Sequence, residues 1–240
     1  MNITFIHHSS YAIELEEHIL LFDYVKGKLP KFSKEKKLYV FSSHVHYDHF
    51  DKIIFDIRKR NPNVTYILSE DIKRSLEENN DTFIEHQIQE HHDMIWMDEY
   101  QTKEIGQLKV QTLHSTDEGV AFMIWCEGQS IYYAGDLNWW YWKEEPKWWN
   151  DNMEDDFKKE INSIKGTSFD VAFLPLDNRL EQGAFLGVDY FMKHTDTKVV
   201  FPMHINGSLK IIDKIKKQDF ATSYADKIID LAGENTEYRI

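Results

Sequence analysis

The stretch KLYVFSSHVHYDH, residues 37–49, runs an apolar strand directly into a cluster of three imidazoles and a carboxylate. His44, His46, Asp48 and His49 fall within six consecutive residues. Neutral imidazole nitrogens and carboxylate oxygens are the donors that zinc and related divalent ions take. A strand end is rigid, so it can hold several such donors at little added entropy cost. His44 and His46 alternate as in an extended chain and can point to one side, while Asp48 and His49 lie where the backbone turns away. A chain of this composition would carry H-x-H-x-D-H by chance only about 0.003 times, which sets aside an accidental His-rich surface loop.

Outward from this motif the chain alternates between two kinds of pattern. On its N-terminal side NITFIH (2–7), YAIEL (11–15) and HILLFDY (18–24) are short runs rich in β-branched and aromatic residues and read as strands. A Gly/Pro/Lys-rich loop follows them. On the C-terminal side Ile53, Ile54 and Ile57 mark a helix face over 50–60, VTYILS (64–69) reads as a strand, and 70–78 as a short amphipathic helix. DTFIEH (81–86), DMIWMD (93–98), QLKVQTL (107–113), GVAFMIWCE (119–127) and SIYYAG (130–135) are strand-like, the last two joined in a hairpin at Gly128-Gln129. His91 and His92 read as surface residues. Helices are expected over 150–164 and 185–194, buried strands at VAFLPL (171–176) and KVVFPMH (198–204), and a helical face of Phe220, Tyr224 and Ile228 over 219–232. No repeat or linker splits the chain, so residues 1–240 read as one α/β domain with mixed sheets.

Composition excludes several roles. Lys and Arg number 28 against 41 Asp and Glu, a net charge of −13, and the sequence is 42% hydrophobic and 14% aromatic. That balance opposes affinity for polyanionic nucleic acid and for an anionic membrane surface, and it is not that of a disordered chain. The single cysteine, Cys126, can form neither an internal disulfide nor a thiolate zinc site by itself. MNITFIHHSS lacks the pattern of a signal peptide, and the apolar runs are strand-sized. A cytoplasmic protein with a small-molecule partner is expected, neither nucleic acid nor membrane being a partner.

Six residues of one loop cannot complete the coordination of two ions. Three further metal-capable residues follow apolar runs: His114 after QLKVQTL, Asp136 after SIYYAG, and His204 after KVVFPM. Each alone is equally a structural histidine or a capping aspartate. Together with the first loop they make a set of seven, the number a two-metal site bridged by one carboxylate requires.

The order H-V-H-Y-D-H, His114, Gly135-Asp136 and Pro202-Met203-His204 resembles the metallo-β-lactamase-fold hydrolases, and within them the group similar to ascorbate-6-phosphate lactonase. The resemblance spans roughly residues 1–206. It implies a four-layer αββα sandwich of two mixed β-sheets with the metals at one edge. By position, His44, His46 and His114 would hold one ion, Asp48, His49 and His204 the other, with Asp136 bridging. Asp23 matches an acidic residue that orients ligands without binding metal, and His8 stands where relatives place a histidine near the site. The cofactors implied are two divalent ions, Zn²⁺ first, with Mn²⁺ or Fe²⁺ as alternatives.

Such a pair would share and ionise a water at neutral pH and polarise a carbonyl or phosphoryl oxygen, giving hydrolysis of a small-molecule ester, lactone or similar bond. Asp48 is the candidate catalytic residue, able to ligate and to move a proton. Phosphodiesterase or nuclease chemistry and an iron-dependent redox reaction are the alternatives. WWYWKEEPKWW (139–149) holds five of the seven Trp. Asn138, Trp139, Trp140 and Trp142 are candidates for the substrate pocket; the same segment can instead plug the core or meet a second subunit in a homo-oligomer. Asp117 and Glu118 read as substrate contacts or a plain turn. Asn178 and Arg179 read as a solvated turn, with an anion contact as the alternative.

Overall fold

The structure, a computed structural model, describes residues 1–79 and 93–240. The expected strand DTFIEH and the reading of His91 and His92 as surface residues fall outside the described residues. The chain divides into two compact units, one of Met1–Glu99, Glu118–Val120 and Gly233–Ile240, the other of Tyr100–Asp117 and Ala121–Ala232.

In the first unit a seven-stranded sheet runs β13 (Thr236–Arg239), β1 (Asn2–His7), β2 (Ser10–Glu14), β3 (His18–Phe22), β4 (Lys37–Ser42), β5 (Val64–Ser69) and β6 (Met94–Met97). Strands β13 to β3 pair antiparallel; β3 to β6 pair parallel. The two-residue period of HILLF, KLYVF and VTYILS puts Ile19, Leu21, Leu38, Val40, Val64, Tyr66 and Leu68 in one cluster. Ile54, Phe55 and Ile57 from a 3-10 helix (Lys52–Lys59) and Ile72 and Leu76 from α1 (Glu70–Glu78) complete it. Asp51 caps the 3-10 helix, its side chain accepting the Ile53 N–H. The alternate residues Leu20, Phe22, Phe41 and Ile67 are fully buried too, which is why these strands read as continuous apolar runs.

The second unit holds a six-stranded sheet in the order β12 (Asp196–Met203), β11 (Ser168–Pro175), β10 (Gln129–Tyr133), β9 (Val120–Cys126), β8 (Leu108–His114) and β7 (Thr102–Ile105). Strands β10, β11 and β12 are parallel, β9 and β10 antiparallel. Helices α2 (Lys147–Ser163), α3 (Leu186–His194) and α4 (Lys210–Lys216) belong to this unit. On one sheet face Tyr132 and Phe169 pack on Phe191 of α3, with centroids 4.6 and 6.1 Å away; on the other Tyr133, Phe173 and Phe201 form a row at 5.9 and 5.5 Å. No helix among the described residues is long and apolar enough to cross a membrane.

The α/β class with two mixed sheets is as expected from the sequence. Three local readings are corrected. Cys126 pairs with Gln129, so the hairpin turn is Glu127-Gly128, both left-handed (φ 50° and 73°), one residue before the expected pair. Residues 50–60 hold a 3-10 rather than an α-helix. Over 219–232 only two short 3-10 turns form, Asp219–Ala221 and Ala225–Lys227, and Ile228 instead makes a parallel bridge to Val200.

Candidate metal centre

Each unit presents its metal-capable side chains where parallel strands end. In the first unit the pairing of Phe22 with Phe41 brings the residues after β3 and β4 side by side, and Asp23 donates its backbone N–H to Phe41 O at 2.9 Å. Asp23, fully buried, accepts from the Ser43 N–H at 2.8 Å and the Ser43 hydroxyl at 2.7 Å, and meets His49 Nδ1 at 2.6 Å. Ser43 Oγ also lies 3.0 Å from His44 Nδ1. A turn in which His46 O accepts from the N–H groups of His49 and Phe50 swings the loop back, so that the His44 ring lies 4.7 Å from His46 and 4.1 Å from His49, centroid to centroid. His8 joins from the β1–β2 turn, its Nε2 3.4 Å from Asp48 Oδ2; ligand atoms of His8, Asp48 and His49 all lie within 4.8 Å of one another.

Asp71 of α1 supports the same loop, its Oδ2 accepting the Val45 N–H at 2.9 Å. Burial raises its pKa above the usual carboxylate value, against the opposing pull of hydrogen bonds from Ser69, Val45 and Ile72.

In the second unit the register Tyr133–Phe173–Phe201 aligns three parallel strands, and the first polar residues past them are Asp136, Asp177 and His204. Crevices at the carboxyl ends of parallel strands are where open α/β sheets bind ligands. All three side chains are buried, and His204 Nε2 is 3.5 Å from Asp136 Oδ2 while its Nδ1 is 3.1 Å from Asp177 Oδ2. Burial pushes the Asp177 carboxyl up, but hydrogen bonds from His204 and Arg179 outweigh it and hold Asp177 well below the usual range. Asp117 has a carboxylate oxygen within 4.8 Å of Asp136; His114, the last residue of β8, falls outside that grouping.

The Trp-rich segment splits in two. Trp140 is buried, donates Nε1–H to Asp136 O at 2.9 Å, and sets its ring edge-to-face on His204 at 5.4 Å. Trp142 stacks on Trp140 at 6.4 Å and 7°. Trp139 turns the other way, against Phe157 of α2 and Tyr190 of α3 with Lys158 over its ring at 4.6 Å. Asn138 is buried; its backbone N–H and C=O both bond the Thr116 hydroxyl, and its Oδ1 occupies the space that a Cβ on Gly187 would need, 2.0 Å away. Trp139 and Asn138 are thus placed in packing.

The donor chemistry fits a divalent metal. His49 and His204 each direct Nδ1 at a buried carboxylate, the arrangement that fixes a ligating histidine's tautomer and leaves Nε2 for the ion. Asp177 and Asp71 were not picked out from the sequence. Asp177 had a signal, an aspartate directly after the apolar run VAFLPL, as Asp23 follows HILLF. Asp71 had none beyond an acidic first helical turn.

Fold and donors together define an α/β metal-site protein, and comparison with known proteins gives the family. The Beta-lactamase superfamily domain family matches residues 29–218. The chain belongs to the β-lactamase superfamily, with the metallo-β-lactamase fold. Among solved structures it is similar to Igni18, a novel metallo hydrolase from the hyperthermophilic archaeon Ignicoccus hospitalis (18% identity, TM-score 0.63, 100% of this chain and 98% of that one). It is also similar to the metallo-β-lactamase fold protein YhfI from Bacillus subtilis (13%, 0.62, 99% of each). CmlA, a diiron β-hydroxylase from Streptomyces venezuelae, shares the fold at 12% identity and TM-score 0.65, over 100% of this chain and 54% of that one. No curated protein matches the chain in sequence.

Proposed function

We propose that this chain is a dinuclear metal-dependent hydrolase acting on an ester, lactone or similar bond of a small molecule, as in the ascorbate-6-phosphate lactonase-like group that its motifs resemble. The carrying observation is the pair of imidazoles, His49 and His204, each tied at Nδ1 to a fully buried carboxylate. By resemblance, His44, His46 and His114 are assigned to one ion and Asp48, His49 and His204 to the other, with Asp136 shared. Zn²⁺ heads the candidates because nitrogen and oxygen donors suit it, as they do Mn²⁺ and Fe²⁺. Two such ions, when bound, supply Lewis acidity and a water acidic enough to ionise near neutrality.

The chain's own residues do the remaining work. Asp23 and Asp177 orient His49 and His204. Asp48, partly exposed and 3.4 Å from His8, is assigned the proton taken from the nucleophile or passed to the leaving group. A chain with a net charge of −13 repels polyanions, which favours a small substrate over nucleic acid. The test is metal analysis of the purified protein, followed by turnover of a panel of lactones, esters and bis-p-nitrophenyl phosphate by wild type and Asp48→Asn. The expected result is two equivalents of divalent metal, lactone or ester turnover, and a variant losing turnover far more than metal. Redox-active iron without hydrolysis, or equal loss of metal and turnover, would overturn the assignment.

A further inference from the structure

Arg179, which the sequence places in a solvated turn, closes a ring of contacts within the second unit. From Asp136 the ring runs to Trp140, whose indole N–H bonds the Asp136 carbonyl, and on to Trp142, stacked on Trp140. The Arg179 guanidinium lies 5.6 Å over the Trp142 ring and grips Asp177 with Nε at 2.9 Å and Nη2 at 2.6 Å. Asp177 reaches His204 Nδ1, and His204 returns to Asp136.

Every other partner of the Asp177 carboxylate is a donor: the Arg179 N–H at 2.8 Å, the guanidinium, and Asn206 Nδ2 at 3.0 Å. A carboxylate so surrounded accepts from Nδ1, so the His204 proton sits on Nδ1. The plane of that carboxylate is set by the fork of Arg179, and the plane of the fork by Trp142. Trp142 is itself fixed by Asn150, whose side-chain amide accepts the Trp142 N–H at 3.0 Å and donates to its carbonyl at 2.8 Å.

We propose that Arg179 is a positioning residue, stacked on Trp142 and forked on Asp177 so as to fix the ring plane and Nδ1–H tautomer of His204. The ligand role of His204 rests on the function proposed above; the geometry of the ring does not. A lysine cannot replace this arginine, because an ammonium offers neither the planar fork nor the stacking face.

The experiment uses the full chain. Long-range proton–nitrogen correlation spectra of the metal-free protein, with His204→Gln identifying the resonance, report the tautomer, and competition with a chelator reports zinc affinity. In wild type His204 carries its proton on Nδ1. Arg179→Ala and Arg179→Lys are expected to mix the tautomers and to weaken zinc binding about 10- to 100-fold, the range for lost ligand support. Trp142→Ala acts in the same direction more weakly, and Trp142→Phe retains most of the wild-type behaviour. Should Arg179→Ala fail to fold, Arg179→Lys and Trp142→Ala decide the matter. A purely structural arginine would lower the melting temperature and leave the tautomer alone. An unchanged tautomer with zinc affinity within about twofold of wild type in Arg179→Lys overturns the proposal. If instead the hydrolase reading fails, wild type binds no zinc tightly while the tautomer still answers to Arg179→Lys.

Discussion

Gly119 holds the end of strand β4 in place by having no side chain, and Gly119→Ala should show how closely that strand end is packed. A Cβ there would lie 2.1 Å from the Ser43 carbonyl oxygen, 2.6 Å from His44 Cβ and 3.0 Å from His44 Cα. None of these is the far end of a flexible side chain, so relief requires moving the Ser43–His44 backbone. That motion would strain the hydrogen bond from the Val120 N–H to Ser43 O, now 3.0 Å. Gly119 also sits at φ +67°, where alanine costs about 1 kcal/mol. Overpacking adds about 1–3 kcal/mol and the lost bond about 1 kcal/mol, for a total of roughly 3–5 kcal/mol. Gly128→Ala is the control: its φ is +73° but nothing lies within 4 Å of its Cβ, so it should lose only the backbone share. Urea unfolding measures both, and, with His44 a ligand as proposed above, metal affinity should fall only in Gly119→Ala because His44 moves with Ser43. Equal losses in the two variants, or a loss under about 1 kcal/mol in Gly119→Ala, would refute the packing argument.

Asp23→Ala strands the Ser43 and His49 groups it now satisfies, so urea unfolding should register a loss of about 2–4 kcal/mol; wild-type stability would show that water replaces the carboxylate. Burial and the neighbouring Glu127 push the Cys126 thiol up to about 12, so native protein should resist a thiol-specific disulfide reagent at pH 8 and the unfolded chain react at one site; rapid labelling of the native state would contradict the burial. Asp71 has a raised folded-state pKa, so its ionised form costs stability at neutral pH, and that cost vanishes below the ordinary carboxylate value of about 3.9. Asn can still accept the Val45 N–H, so Asp71→Asn should stabilise the protein at pH 7 with a gain that shrinks as pH falls toward 3. A gain independent of pH would assign the effect to packing instead.

The parallel strands were legible because both of their faces are apolar, and so were the metal-capable residues at their ends, because several of them after apolar runs, taken together with the HVHYDH loop, make a set that none makes alone. What the sequence concealed follows from distance along the chain. Asp177 is meaningful only once β11 and β12 pair, since the bond to His204 spans a separation of 27 residues. Arg179 is half-exposed, as a turn residue should be, and only its stacking on Trp142, 37 residues earlier in the chain, was hidden. Edge strands β7 and β13 and helix α4 escaped notice because TKEI and TEYR are half-exposed polar runs and KIIDKIK is only seven residues long. The 219–232 segment failed for the opposite reason: a helical spacing was present, but the bridge of Ile228 to Val200 holds the chain extended there.

Each unit carries backbone strain among its metal-capable residues. His8, Asp23 and His204 adopt φ of 47°, 42° and 55°, in the left-handed region where a side chain costs about 1–2 kcal/mol. Such residues also occur in ordinary turns, as at Tyr100 (φ 57°), which is 57% exposed. Asp23 and His204 are different, being 0% and 3% exposed. Glycine at either position would relax the backbone, but it would take the carboxylate away from His49 Nδ1 and the two Ser43 donors, or the imidazole away from Asp177, which Arg179 and Asn206 alone would then hold. Turn geometry alone would therefore select glycine at 23 and 204. The carboxylate and the imidazole that stand there instead are set by what their side chains hold, and the strain is borne because the ends of β3 and β12 are locked into their sheets by the pairings of Phe22 with Phe41 and Met203 with Pro175.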